Sequence, residues 1–108
     1  MLALCRHALS GALRGLASED VVDDLKLVLS EVCKNAIEHG YRGGGGTIDI
    51  EFRTCPGEFE TAVRDHGCGA PWPARTGTGA ALLAALTSRH AVTHPASGGT
   101  LVTFARAM

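Results

Sequence analysis

Apolar residues recur with helical spacing along residues 19–39, the most regular stretch of the sequence. At about 100° per residue they fall on a single stripe, which consists of Val21, Leu25, Val28, Leu29, Val32 and Ala36. Ser18 is a suitable N-cap, because its hydroxyl can accept a hydrogen bond from an unpaired backbone N–H of the first turn. Gly40 can adopt the left-handed conformation that ends a helix. The pattern therefore predicts one long amphipathic helix that ends near His39.

Three polar residues, Glu31, Asn35 and His39, follow one another at four-residue steps along the edge of that stripe. A carboxylate and a carboxamide one turn apart, at the border between core and solvent, are suited to a metal–phosphate site. An ordinary solvated helix edge explains the same pattern. The helix alone does not decide between these two interpretations.

The remaining elements alternate between helical and extended patterns. Leu and Ala dominate residues 2–16, which predicts a first helix, and a third helix is predicted over Ala80–Leu86. Alternation of apolar and polar residues predicts four strands, over Thr47–Arg53, Phe59–Arg64, His90–His94 and Thr100–Arg106. The order α-α-β-β-α-β-β predicts an α+β fold, a two-layer α/β sandwich with the helices on one face of a mixed, mostly antiparallel sheet. A chain of 108 residues is expected to form a single domain, residues 1–108.

Composition and charge argue against several classes of protein. The formal net charge is −1 and aromatic residues make up 5% of the chain, so neither a basic surface nor a stacking platform for nucleic acid is expected. No apolar run approaches the roughly 20 residues that span a bilayer. Arg6, His7 and Arg14 interrupt the apolar N-terminal stretch, which argues against a signal peptide. A cytoplasmic protein with reduced thiols is predicted, because the four cysteines are widely spaced: Cys5, Cys33, Cys55 and Cys68.

Three features could be taken for ligand-binding sites, but none of them is sufficient evidence for one. The run Gly43–Gly46 is not followed by the Lys and Ser or Thr of a phosphate-binding loop, so it predicts a flexible connection. Gly77-Thr78-Gly79 has no strand directly before it and Leu82 in place of the third glycine, so it is no dinucleotide fingerprint. His66 and Cys68 could face one way, but two ligands do not make a zinc site.

Three short motifs nevertheless occur together and in a fixed order: Glu31-x-x-x-Asn35 on a helix, Asp65-x-Gly67-x-Gly69 at a strand end, and Gly77-x-Gly79 at a helix start. In this order they resemble the nucleotide-binding elements of the GHKL, or Bergerat-fold, ATPase superfamily, which includes DNA gyrase and the histidine kinases. The segments NAIEHGY, VRDHGCGAPW and RTGTGAALL, with the closing GGTLVTFAR, are most similar to the bacterial anti-sigma factor serine/threonine kinases. Those proteins sequester alternative sigma factors and phosphorylate anti-anti-sigma antagonists.

The resemblance implies a role for each matching residue. Asn35 would coordinate Mg²⁺ through its side-chain oxygen, and Glu31 would act as general base. Asp65 would accept a hydrogen bond from the adenine amino group, Thr100 would support the adenine end, and Arg75 would stabilise charge on the transferred phosphoryl group. Glycines would let the backbone approach the base and ribose and would offer N–H groups to the phosphates; these are Gly67, Gly69, Gly77 and Gly79.

The resemblance thus implies an ATP- and Mg²⁺-dependent protein serine/threonine kinase, with a sigma factor and an anti-anti-sigma antagonist as partners and a homodimer as its assembly. The alternative is a non-catalytic partner-binding module of the same fold, with nucleotide as a conformational ligand or with no nucleotide binding. It is suggested by the segment Ala70–Thr76, only seven residues long, and by a chain that starts almost at the first helix, without the strand that usually precedes it. A histidine kinase catalytic part is a third reading, for which the chain is too short to add a dimerisation helix pair with its phosphoacceptor histidine.

Overall fold

All seven predicted helices and strands are present in a computed structural model, which describes residues 2–15, 17–37, 46–67 and 78–108, with side chains omitted for 2–6 and 78–80. The helices are α1 (Leu2–Leu13), α2 (Glu19–Asn35) and α3 (Thr78–Leu86). The strands are β1 (Ile48–Cys55), β2 (Glu58–Asp65), β3 (Arg89–Thr93) and β4 (Thr100–Ala107). The predicted boundaries agree to within three residues at every described end except that of α2, whose last residue, Asn35, lies four residues before the predicted end near His39.

The four described strands form one sheet in the order β1-β2-β4-β3. Every pair is antiparallel, so this part of the sheet is wholly antiparallel rather than mixed. Strands β1 and β2 form a hairpin, and Gly57 in its turn has a φ of 77°, a conformation that favours glycine. At the centre of the sheet the β2–β4 ladder pairs Asp65 with Thr100 at one end and Phe59 with Arg106 near the other.

One face of the sheet is covered by the helices. Along β2, residues 59, 61, 63 and 65 are buried and alternate with half-buried ones, so the odd-numbered side chains point toward the helical layer. A single apolar core joins the two layers: Leu9, Leu13, Leu25, Val28, Leu29, Val32, Cys33, Leu83, Phe59, Val63, Val102 and Phe104. The two-layer α+β architecture expected from the sequence is therefore confirmed.

Helix α2 begins as its sequence predicts. The Ser18 hydroxyl accepts a hydrogen bond from the Val21 backbone N–H at 3.4 Å, and Glu19 and Asp20 lie in the first turn, where acidic groups complement the helix dipole. Helix α1 ends at Leu13 because the chain turns at Gly15, whose φ is 76°. The predicted C-cap Gly40, the first three residues of the run Gly43–Gly46 and the segment 70–76 lie outside the described residues. None of the helices in the described ranges is long and apolar enough to cross a bilayer.

Candidate functional site

A buried carboxylate ends the central strand β2. Its residue Asp65 lies on the same face of β2 as Val63, toward the helical layer, and only 4% of it is exposed. Its Oδ1 accepts a hydrogen bond from the Gly67 backbone N–H at 2.9 Å, which fixes the chain in a tight turn as it leaves the sheet. A buried ionised group needs several donors, so this position suits a carboxylate that receives a further hydrogen bond from a ligand.

Thr100 lies opposite Asp65 in the β2–β4 ladder and is 5% exposed. Its hydroxyl is 3.4 Å from Nδ1 of His94. The inward faces of the paired ends of β2 and β4 therefore carry a carboxylate and a hydroxyl next to each other. These are the two residues that the family resemblance assigns to the adenine end of a nucleotide.

Gly99 is a residue of this site that the sequence analysis did not single out. Its φ is +79°, and a Cβ on it would overlap the carbonyl oxygen of Asp65 and lie 3.0 Å from the Cα of His66. The sequence signal is the Gly98-Gly99 pair, which opens the segment GGTLVTFAR and to which the resemblance assigns no role. The structure requires glycine at position 99, because the backbone of this residue packs directly against the backbone of Asp65 and His66.

Glu31 and Asn35 lie one turn apart on α2, and both side chains are half-buried. Their neighbours Val32 and Cys33 are buried in the core that also contains Val63. The predicted position at the border between core and solvent is confirmed. Because α2 covers the inward face of the sheet, its polar edge and the inward end of β2 belong to the same side of the molecule.

The third motif opens a helix, as predicted. Helix α3 begins at Thr78, so Gly79 lies in its first turn, where backbone N–H groups lack partners within the helix. The predicted site residues Gly69, Arg75 and Gly77 lie outside the described residues, as do Cys68 and His39.

His66, between Asp65 and Gly67, places its Nε2 at 2.7 Å from Oδ2 of Asp49 on β1. Both side chains are about half exposed or more. The pair ties the turn after β2 to the neighbouring strand on the outside of the site. The sequence pattern does not reveal this pair, because only the register of the β1–β2 hairpin brings the two residues together.

Asn35 is suited to a magnesium ion that is held mostly by the phosphates of a nucleotide. In the described ranges no three His, Cys, Asp or Glu side chains come together in a way that could hold a metal by themselves. Mg²⁺ usually keeps several waters and takes one or two protein oxygens together with substrate phosphates. Asn35, with a hard oxygen on a half-exposed helix edge, is suited to that supporting role.

The described structure is an antiparallel sheet covered by helices, and its central strand β2 ends in a buried carboxylate. The chain belongs to the family of histidine kinase-like ATPase domains, whose sequence model matches residues 1–106.

Curated relatives extend the comparison over part of the chain. It is 32% identical over 69 residues to serine-protein kinase RsbW of Bacillus licheniformis, which covers 61% of this chain and 43% of the relative. Serine-protein kinase RsbW of Bacillus subtilis is 32% identical over 68 residues, covering 61% and 42% respectively. The chain thus matches less than half the length of these relatives.

Proposed function

We propose that the protein binds Mg-ATP where the ends of β2 and β4 meet and transfers the γ-phosphoryl group to a serine of a protein partner. The observation that carries the proposal is the buried Asp65, held by Gly67 and placed opposite Thr100. One oxygen of this carboxylate is engaged by the turn. The other oxygen can accept a hydrogen bond from the amino group of adenine. A purine with a carbonyl oxygen in place of that amino group has no donor there, so it would not be recognised.

Asn35 would hold the magnesium ion, and Gly77 and Gly79 would offer backbone N–H groups to the phosphates at the start of α3. When bound, the ion supplies positive charge to the phosphate oxygens. The dipole of α3 supports the same negative charge from the protein side. Arg75 would stabilise charge on the transferred group.

Glu31 would act as the general base for the acceptor serine. In this step a bond forms between the serine oxygen and the γ-phosphorus while the bond to the ADP oxygen breaks, and the serine proton passes to Glu31. Its half-buried position, one turn from Asn35, leaves the carboxylate accessible to a substrate hydroxyl.

The proposed partners follow from the family resemblance and from the relatives. A serine acceptor is supported by the name of the curated relatives, serine-protein kinase. An anti-anti-sigma antagonist is therefore proposed as the phosphorylated partner and a sigma factor as the sequestered one, with the kinase acting as a cytoplasmic homodimer.

Titration with ATP in the presence and absence of Mg²⁺, followed by incubation with an antagonist protein, tests the proposal. The expected result is magnesium-dependent binding and phosphoserine on the antagonist. Glu31→Gln should abolish transfer and keep ATP binding. Asp23→Asn is the matched control, because Asp23 is an exposed carboxylate of the same helix, and it should retain both properties.

Two results would contradict the proposal at different points. Absence of binding at millimolar ATP would favour the non-catalytic partner-binding module. Full transfer by Glu31→Gln would keep the kinase and reject Glu31 as its base.

A further inference from the structure

An arginine near the C-terminus joins three elements at one point. Nη1 of Arg106 on β4 donates to Oδ2 of Asp24 on α2 at 2.9 Å and to the backbone carbonyl of Leu86 on α3 at 2.9 Å. The Arg106 and Asp24 side chains are only 25% and 34% exposed. We call the Asp24–Arg106–Leu86 contact the clamp. Because it is partly shielded from water, its charge-assisted hydrogen bonds are stronger than those of an exposed pair.

The clamp holds one end of α3. Leu86 is the last residue of that helix, so its carbonyl has no partner within the helix and Arg106 supplies one. The next residues are tied to the same strand: Ser88 N–H donates to the Ala105 carbonyl at 2.7 Å, and its hydroxyl accepts from Ala107 N–H at 2.8 Å. The C-terminal end of α3 is therefore fixed to β4.

The clamp lies far from the base-binding end of the proposed site. Arg106 pairs with Phe59 in the β2–β4 ladder, six residues along β2 from Asp65, a separation of about 20 Å. Along α2, Asn35 is eleven residues beyond Asp24, about 16 Å. Asp24, Glu31 and Asn35 share one side of α2, because intervals of seven and eleven residues are close to whole numbers of turns.

The clamp therefore joins the parts of α2 and α3 that are distant from their phosphate-binding residues. Asn35 lies at the C-terminal end of α2, and Gly79 lies in the first turn of α3, at the opposite end of that helix from Leu86. Helix α3 is about 12 Å long, so a tilt of about 5° at the clamp moves its first turn by about 1 Å. Displacements of that size are sufficient to weaken binding and catalysis strongly.

We propose that Arg106 is a positioning residue for the phosphate half of the nucleotide site: it locks α3 against α2 so that the first turn of α3 stays in register with Asn35. The proposal rests on the proposed function for its ligand. It predicts a selective defect. Contacts to phosphate, made by α3 and Asn35, depend on the clamp, whereas contacts to the base, made by Asp65 at the far end of the sheet, do not.

The test compares Mg-ATP with adenosine as probes of these two halves. Arg106→Met keeps the aliphatic stem of the side chain and removes its donors. It should weaken Mg-ATP binding about tenfold, and leave the affinity for adenosine unchanged. Arg106→Lys can still donate to one clamp partner, so it should restore much of the Mg-ATP affinity.

Arg89→Met is the matched control. Arg89 also bridges two groups, donating to Glu58 at 2.5 Å and Glu60 at 2.7 Å, but on the face of the sheet that the helices leave open. These hydrogen bonds, first to Glu58 and then to Glu60, raise the pKa of its guanidinium above the ordinary value. The control removes a comparable ion-pair cluster without touching α2 or α3, and both affinities should stay at the wild-type level.

Equal weakening of Mg-ATP and adenosine in Arg106→Met would show a merely structural role and overturn the inference. Unchanged Mg-ATP affinity would overturn it as well. If Arg106→Met does not fold, Asp24→Asn, which removes the charge and keeps the side-chain shape, is measured instead, with a smaller selective loss expected.

Amide hydrogen exchange separates this inference from the proposed function, because it needs no nucleotide. Exchange within α3 should be faster in Arg106→Met than in Arg89→Met or the wild type, with the β1–β2 hairpin unchanged. If the wild type binds neither probe, the proposed function fails and the exchange result alone decides whether the clamp holds α3. Unchanged exchange in α3 would contradict the clamp even if the wild type binds ATP.

Discussion

Gly99 lies directly against the backbone of Asp65, with no room for a side chain between them. Gly99→Ala is therefore expected to lower the free energy of unfolding by about 3 kcal/mol or more. The new Cβ would overlap Asp65, and alanine would be strained at a φ of +79°. It should also displace Asp65 and weaken ATP binding. Urea unfolding and ATP titration measure the two effects.

Gly57→Ala provides the control for backbone strain. Gly57 has nearly the same φ, +77°, and nothing within 4 Å of its Cβ position. This variant should cost only about 1–2 kcal/mol, with ATP affinity unchanged. Equal destabilisation by the two substitutions would contradict the close approach at Gly99.

Asp65→Asn tests the base-binding role of the carboxylate. The amide oxygen can still accept from Gly67 N–H, so the turn should survive. The amide nitrogen would then face the adenine amino group, and two donors cannot pair. The expected loss of ATP affinity is about tenfold to a hundredfold, measured by calorimetry.

Asp49→Asn is the comparison for that measurement. Asp49 is an exposed acid on the neighbouring strand, joined to His66 on the outside of the site. Its replacement should change ATP affinity by less than about twofold. A similar loss in both variants would point to the overall negative charge rather than to a contact with the base.

Thr61 in the centre of β2 is fully buried, and its hydroxyl has no hydrogen-bond partner among the described residues. Thr61→Val should raise the free energy of unfolding by about 1 kcal/mol, because it removes an unsatisfied buried group at nearly constant volume. Thr103→Val, at a half-buried position on the open face of β4, should stay within about 0.5 kcal/mol of the wild type. Destabilisation by Thr61→Val in a urea titration would show that the hydroxyl is paired.

Leu83 attaches α3 to the core and is completely buried. Leu83→Ala is expected to destabilise the protein by about 2–5 kcal/mol, through lost burial and the cavity that remains. Leu27→Ala, at a side chain that is 52% exposed on α2, should cost less than about 1 kcal/mol. Thermal unfolding of the two variants distinguishes a core contact from general loss of a leucine.

The sequence was sufficient to predict the elements and the edge of α2, because both follow from local periodicity. The stripe from Leu25 to Ala36 is buried as its spacing requires, and Glu31 and Asn35 border it. Ser18 caps the helix that it was predicted to begin. Each of these features depends on residues within a few positions of one another.

Sequence patterns did not predict how distant segments pair. The order β1-β2-β4-β3 brings Thr100 beside Asp65, and nothing in either segment encodes that neighbour. Gly99 and the Asp24–Arg106 contact escaped prediction for the same reason, since the latter joins residues 82 positions apart. The family resemblance suggested roles for Asp65 and Thr100, but not the packing that holds them.

The sheet order also has a consequence for folding. Two hairpins, β1–β2 and β3–β4, form between segments close in the chain, whereas the seam between them, β2–β4, must close over a long intervening stretch. Such closure is the slow, entropically costly part of assembly. Asp65 and Thr100 face each other across one end of this seam, so these two residues come together only when the two hairpins have joined. A ligand bound there would stabilise the joined hairpins, by an amount that rises with the logarithm of its concentration above the Kd.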